Sequence, residues 1–198
     1  MTRLIRTHSE HIDFINLVKK LDAYLKITDG DEHDFYNQYN NIDVLKHVVI
    51  AYHDNKPVGC GAFKKFDKNS VEIKRMFTNS ENRGLRIASK ILKTLEIWAE
   101  EMGYQSCVLE TGIRQIEAVQ FYKKNNYNTI PNFGQYKQMA NSLCFKKELI
   151  KNAIEISNNY RHQLSNHMLT PHKMNKQNKL KIKRYKQKKL IDTIIIKL

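Results

Sequence analysis

Between Arg83 and Ser89 the chain reads RGLRIAS, placed directly between a β-branched run that ends at Phe77 and a long amphipathic segment. A loop at such a junction presents the first backbone N–H groups of a helix, which have no intrahelical partner, to whatever anion lies in front of them. The chemistry on offer is a grip on phosphate. A dinucleotide, a simple phosphate or no ligand at all are open, because one glycine in such a loop is weak evidence by itself. Other reactive side chains are scattered. His8, His11, His33, His47 and His53 show no mutual spacing that suggests a metal site or a triad, and Cys60, Cys107 and Cys144 lie in apolar runs without CxxC or Cys/His spacing. The thiols read as buried and reduced, an odd count without a signal peptide being a poor disulfide framework; a catalytic cysteine is the sharper alternative. Asp29, Asp31, Glu32 and Asp34, followed by Phe35, Tyr36 and Tyr39, form an acidic stretch without the ligand spacing of a calcium loop. It reads as a solvated loop that opens a helix, where carboxylates are favoured, or as the border of a pocket that attracts a cationic amine.

Holding the RGLRIAS loop in place requires a strand before it and a packed helix behind it. Ile87, Ile91, Leu95, Trp98 and Met102 recur on one helical face, Ala88, Leu92 and Ala99 widen the stripe, and Gly103 stands where a left-handed stop is needed. The spacing predicts a helix over about 86–102. Earlier, Leu4 to Arg6 reads as an edge strand and Thr7 to Ser9 as a helix cap; Phe14, Leu17, Val18, Leu21 and Leu25 then mark a first helix that stops near Thr28 to Gly30. The runs 47–52 and 58–66 flank a turn-forming cluster, His53 to Lys56, and predict a hairpin with Pro57 at the start of its second strand. A second turn at Asp67 to Asn69 feeds a third strand, Val71 to Phe77. After the long helix, 105–110 is far enough along the chain to pair parallel to that strand by a crossover connection. A short helix with Ala118, Val119 and Tyr122, and strands near 127–130 and 142–147, complete the pattern. The expected class is α/β (α+β): a mixed, mostly antiparallel twisted sheet of about six or seven strands flanked by helices. In that setting Tyr136, close to Pro131 and Gly134, reads as a packing anchor or as a lining of an acceptor pocket.

The loop motif resembles the pyrophosphate-binding signature of the GCN5-related N-acetyltransferase (GNAT) superfamily, Q/R-x-x-G-x-G/A, with Arg83 in the first position, Ala88 in the last and Arg86 in place of the middle glycine. Downstream, Gln115 to Tyr127 is similar to the family segment N-x-x-A-x-x-x-Y-x-x-x-G-F/Y, with Gln115 for asparagine and Asn126 for glycine. Asparagine tolerates positive φ best after glycine, so the second exchange keeps the helix stop. Together the matches span about Arg3 to Glu148 in element order.

The resemblance implies acetyl-CoA as donor and no metal. Arg83, Gly84, Leu85, Arg86, Ile87, Ala88 and Ser89 would hold the pyrophosphate, with Gln115 and Tyr122 beside the coenzyme. Main-chain groups of Met76, Phe77 and Thr78 would hold the pantetheine arm, one amide there polarising the thioester oxygen. Tyr122 matches the tyrosine that protonates the departing thiolate. Glu72, eleven residues before Arg83, matches the strand glutamate that acts as general base in histone-acetylating members; equally, it pairs with Lys74 two residues on, on the same strand face. Glu110 is the reserve for base or amine recognition, and Asp31, Glu32 and Tyr36 border the acceptor. The implied reaction is N-acetylation of a primary amine on a small molecule or peptide. The alternative is a catalytically weak acyl-CoA-binding module.

Charge is unevenly spread. Residues 1–150 carry 22 Lys+Arg against 18 Asp+Glu, whereas residues 151–198 carry 12 against 2. The first stretch reads as the catalytic domain. The second reads as a disordered or weakly helical basic tail, or as a contact for nucleic acid or an acidic surface. No apolar run approaches the roughly 20 residues of a membrane span, and MTRLIRTHSE lacks the apolar core of a secretion signal. A cytoplasmic protein, monomeric or homodimeric, is expected.

Overall fold

The computed structural model describes residues 1–30, 35–36, 38 and 41–149. Asp31, Glu32, Asp34 and Tyr39 of the acidic stretch, and the basic segment after Ile150, lie outside the described residues. In chain order the elements are β1 (Thr2–Thr7), α1 (Ile12–Asp29), β2 (His47–His53), β3 (Lys56–Lys65), β4 (Ser70–Thr78), α2 (Ile87–Glu101), β5 (Ser106–Gly112), α3 (Ile116–Lys124), β6 (Asn128–Ile130) and β7 (Ser142–Glu148). The strands form one mixed sheet in the order β1-β2-β3-β4-β5-β7-β6. Every pairing is antiparallel except β4 with β5, which is the expected α/β class with its crossover through α2.

Period-two alternation along β2 sorts the core into two layers. Val49 and Ala51 join Ile87, Ile91, Leu92, Leu95 and Ala99 of α2, while Val48 and Ile50 join Phe14, Leu17 and Val18 of α1. The two helices therefore cover opposite faces, and Tyr122 brings α3 to the α2 side. The turns follow from their residues. Asp54 and Asn55 both take positive φ, +49° and +62°, as the tight hairpin turn demands. Asp67 Oδ1 accepts from the Asn69 amide, the Ser70 amide and Ser70 Oγ, each at 2.7 Å. Gly103 and Asn126 stop their helices with φ of +88° and +65°.

Two local expectations give way. The first helix is not capped within Thr7 to Ser9: β1 runs through Thr7, and His11 caps α1 by accepting from the Asp13 amide at 3.2 Å. Met102 lies beyond the end of α2 and is exposed, whereas Glu96 is buried. Its carboxylate accepts from Lys147 Nζ of β7 at 2.8 and 2.9 Å, a tertiary partner that periodicity does not reveal. Among the described residues, no helix is long and apolar enough to cross a membrane.

Candidate active site

The site begins where two neighbouring strands part. β4 and β5 pair only over Ser70, Val71 and Glu72 against Ser106, Cys107 and Val108; beyond, both continue without each other, so a cleft opens between them. On its other edge β4 bulges. Cys60 pairs with Phe77 and Ala62 with Lys74, leaving Arg75 and Met76 opposite the single residue Gly61. Arg75 takes φ of +57°, and its carbonyl accepts from Cys60 Sγ at 3.5 Å. The regular β3–β4 ladder is thus broken at Arg75 and Met76, and Met76 lines the inner and middle hollows of the cleft. The Arg75 guanidinium donates to Asp22 Oδ1 of α1 at 2.7 Å, tying the bulge to the helix above it.

A groove leads outward from this bulge in adjoining hollows of about 120, 240 and 400 Å³, widening toward the surface. The middle part is walled by Leu21 and Tyr24 of α1, Met76, Phe77 and Thr78 of β4, and Ala118, Phe121 and Tyr122 of α3. The outer part is walled by Arg83, Gly84, Arg86, Ile87, Ala88 and Ser89 at the start of α2, with Lys124 and Asn125. Leu85 is exposed; Ile87 has its side chain in the core and contributes its main chain. Arg86 occupies the cap position in left-handed geometry, φ 58° and ψ 22°. The missing glycine thus leaves the backbone turn intact at a conformational cost. Arg83 Nη1 donates to Glu117 Oε2 at 2.8 Å across the groove mouth, with its guanidinium 6.0 Å from the ring of Tyr24. α1, α3 and the loop before α2 thereby meet at one arginine.

The inner end holds the titratable groups. Tyr122 is almost fully buried, its ring against Phe121, Tyr127 and Phe145, and it lines both the inner and middle hollows. Burial, and secondarily the charge of Glu110, pushes its phenol well up, so it stays a neutral donor. A thiolate leaving into the same desolvated space is raised by the same effect. Glu110 lines the inner hollow, with Oε1 buried and unpartnered. Desolvation raises its carboxyl to about 7, against a hydrogen bond from Ser142 and the charge of Lys74 that lower it.

Glu72 is buried between two cations, with Lys64 Nζ at 3.2 Å and Lys74 Nζ at 3.4 Å, and its side chain is absent from the lining of the inner hollow. That geometry matches the ion-pair reading of Glu72. Lys74 also donates to Tyr136 OH at 3.3 Å; Tyr136 is buried and borders the same hollow, as does Tyr36. Gln115 begins α3 and accepts from Thr111 Oγ1 at 3.1 Å, reaching the inner and middle hollows. The described groove thus gathers Met76, Phe77, Thr78, the 83–89 loop, Gln115, Tyr122, Glu110 and Tyr36, and leaves Glu72 beside it.

Sequence reasoning missed Arg75, Ser142 and the pair Gly59 and Gly61. A Cβ on Gly59 would lie 2.8 Å from the Phe77 carbonyl, and one on Gly61 would press on Met76 Sδ and lie 2.9 Å from Ile91. Two glycines inside a strand do signal a bulge or a close approach. Nothing in the local sequence marks Arg75 or Ser142.

Residues 15–127 match the model of the acetyltransferase (GNAT) family, and the chain belongs to that family. An IAA acetyltransferase of Azospirillum brasilense is 29% identical over 141 residues, which cover 68% of this chain and 90% of that protein. The uncharacterized N-acetyltransferase YsnE of Bacillus subtilis is 31% identical over 101 residues, covering 50% of this chain and 67% of its own. Among solved structures, a Klebsiella pneumoniae protein described as an acyl-CoA N-acyltransferase superposes with a TM-score of 0.63 at 27% identity, covering 75% of this chain and 98% of that one. A GNAT acetyltransferase of Elizabethkingia anophelis with acetyl-CoA bound has a TM-score of 0.55 at 17% identity, over 74% of this chain and 97% of that one, a likeness in fold alone.

Proposed function

We propose that the protein transfers acetyl from acetyl-CoA to a primary amine of a small molecule or peptide, by direct attack within a ternary complex. The observation that carries this reading is the meeting of three groups in the hollow where β4 and β5 part: Met76 at the bulge, Tyr122, and the unpartnered Glu110 oxygen. The nucleotide end would lie on Arg83 to Ser89, where helix N–H groups face the pyrophosphate and Arg83 exchanges Glu117 for it. The pantetheine arm would run along Met76 to Thr78, and the acyl oxygen would accept from the Met76 amide as charge develops on it.

Glu110 takes the role of base in place of Glu72, whose carboxylate is neutralised by two lysines. A carboxyl with a pKa of about 7 is divided between its two forms near neutral pH, which suits removal of a proton from an amine that becomes more acidic once desolvated. The neutral amine nitrogen attacks the carbonyl carbon and the C–S bond breaks; Tyr122 gives its proton to the sulfur, and the proton that the nitrogen sheds in becoming an amide replaces it on the phenol. Asp29 and Tyr36 border the acceptor end, and Asp31 and Glu32 follow Asp29 in the chain. The test is acceptor-dependent thiol release with acetyl-CoA and a panel of amines, beside calorimetry with CoA. Coenzyme binding with no acceptor-dependent thiol from any amine would make the chain a binding module. No binding heat, and no change on reversing the charge at Arg83, would remove the transferase reading altogether.

A further inference from the structure

Side-chain alternation along β4 breaks at one residue. Val71 and Ile73 face the α2 layer, Ile73 opposite Phe63; Lys74, opposite Ala62, lies on the α1 side. Continued at period two, Arg75 would stand opposite Gly61 and enter the space beside it, which Ile91 and Leu95 bound. The bulge prevents this. Met76 takes the place over Gly61, and Phe77, opposite Cys60, returns to the α1 layer. Arg75 turns to α1 with Lys74, where its side chain, 5% exposed, donates to Asp22 Oδ1 at 2.7 Å. It does so at φ +57°, a left-handed backbone that is unfavourable for arginine. The residues after it do not choose between the two registers, since Met76 and Phe77 are both apolar and suit either face. The charge of Arg75 does choose, because an unpaired guanidinium among Ile91 and Leu95 costs more than the strained turn.

We propose that Arg75, held by Asp22, is the positioning residue that keeps β4 in its bulged register. A shift of one residue exchanges the faces of every position that follows, so this choice decides how Met76, Phe77 and Thr78 are presented to the groove. The same contact fixes α1. Leu21 and Leu25, on either side of Asp22, wall the inner hollow, and Leu21 and Tyr24 wall the middle one. Farther along, Lys20 Nζ donates to Asn79 Oδ1 at 3.5 Å, so α1 is tied to β4 both before and after Met76 to Thr78. Arg75 acts through these residues and not on the reacting atoms. Its effect on turnover rests on the acetyl-transfer reading above; its effect on register does not.

Arg75→Val removes the charge and supplies a β-branched residue that suits an extended ladder and avoids positive φ. Position 75 should then take negative φ, read from its backbone chemical shifts. With it, the CoA dissociation constant should rise roughly tenfold or more and kcat should fall by a similar factor, both measured well below the melting temperature. Arg75→Lys keeps a charge that the α2 layer excludes; it should retain positive φ and bind CoA within about threefold of the parent. A valine variant that keeps positive φ, or that binds CoA like the parent, overturns the proposal, and so does a lysine variant that behaves like valine. If Arg75→Val does not fold, Asp22→Ala decides. It should weaken CoA binding roughly three- to tenfold and move the amide signals of Met76 to Thr78; parent-like affinity with unmoved signals overturns the proposal. A parent protein that takes up no CoA removes the acetyl-transfer reading instead, and the sign of φ at position 75 in Arg75→Val still decides the register.

Discussion

Tyr122→Phe separates the hydroxyl of Tyr122 from its ring, and the structure gives different sizes to the two contributions. The ring is packed at centroid distances of 5.2 Å from Phe121, 5.7 Å from Tyr127 and 6.2 Å from Phe145, contacts that phenylalanine preserves. The hydroxyl has no hydrogen-bond partner among the described residues and faces the groove. Removing a nearly buried hydroxyl that lacks a partner recovers desolvation cost, so stability should be unchanged or higher by about 1 kcal/mol. Coenzyme affinity should stay within about twofold, since the proposed grip on the nucleotide lies at Arg83 to Ser89. Turnover should fall by roughly 10² to 10⁴, the ordinary worth of a positioned general acid, which corresponds to about 3 to 5 kcal/mol of barrier. Thiol-release kinetics, calorimetry with CoA and a thermal melt on the same preparation read the three quantities. Parent-like kcat refutes the donor role. A drop in melting temperature that tracks the loss of kcat refutes the claim that the hydroxyl acts chemically and not through packing.

Glu110 links the site to stability. In the folded protein it keeps its proton to about pH 7, whereas an unperturbed glutamate releases it near 4.5; its contribution to stability is therefore full below 4.5 and is lost as pH rises through 7. Glu110→Gln keeps the shape without the charge, so its melting temperature should gain on the parent between about pH 5 and about pH 8, and a constant difference would contradict the raised pKa. Glu96→Ala leaves Lys147, only 13% exposed, without its counter-charge and should cost about 3 kcal/mol by urea unfolding; replacing both residues with methionine should recover most of that, and a loss under about 1 kcal/mol would mean that the pair is effectively solvated. Arg86→Gly relieves about 1 kcal/mol of left-handed strain while giving back a similar amount in unfolded-chain entropy, so stability should barely move. Its CoA dissociation constant should rise roughly two- to fivefold at low salt if the guanidinium meets the phosphates; tighter binding would show that the side chain obstructs the loop.

Whether a feature could be read in the sequence depended on whether its cause is local. The helix behind the phosphate loop was visible because Ile87, Ile91 and Leu95 repeat with the helical period and Gly103 supplies the left-handed stop. The hairpin was visible because Asp54 and Asn55 tolerate the positive φ that its turn needs. Burial of Glu96 was not visible, since a charged residue on a helix becomes an interior one only when Lys147 arrives from a strand 51 residues away. Ser142 shows the same limit inside the site: no neighbour in sequence distinguishes it from any strand serine, and it reaches Glu110 only because β7 inserts between β5 and β6 in a particular register.

The choice between Glu72 and Glu110 turns on that same limit. Along β4, Glu72 stands at a plausible distance from Arg83, and spacing alone weighs it equally as base and as partner of Lys74. What separates the readings is a second lysine, Lys64, which the β3–β4 register places directly opposite Glu72, upstream of the point where the bulge shifts that register. Two lysines engage the Glu72 carboxylate, while Glu110, two residues past the last β4–β5 pair, faces the opened cleft with one lysine's influence and a dominant desolvation. The bulge and the splay are thus not decoration on the sheet. In the proposed reaction the bulge sets Met76 at the cleft, the splay gives a substrate room beside it, and Glu110 on the parted strand, not the lysine-paired Glu72, takes the part of base.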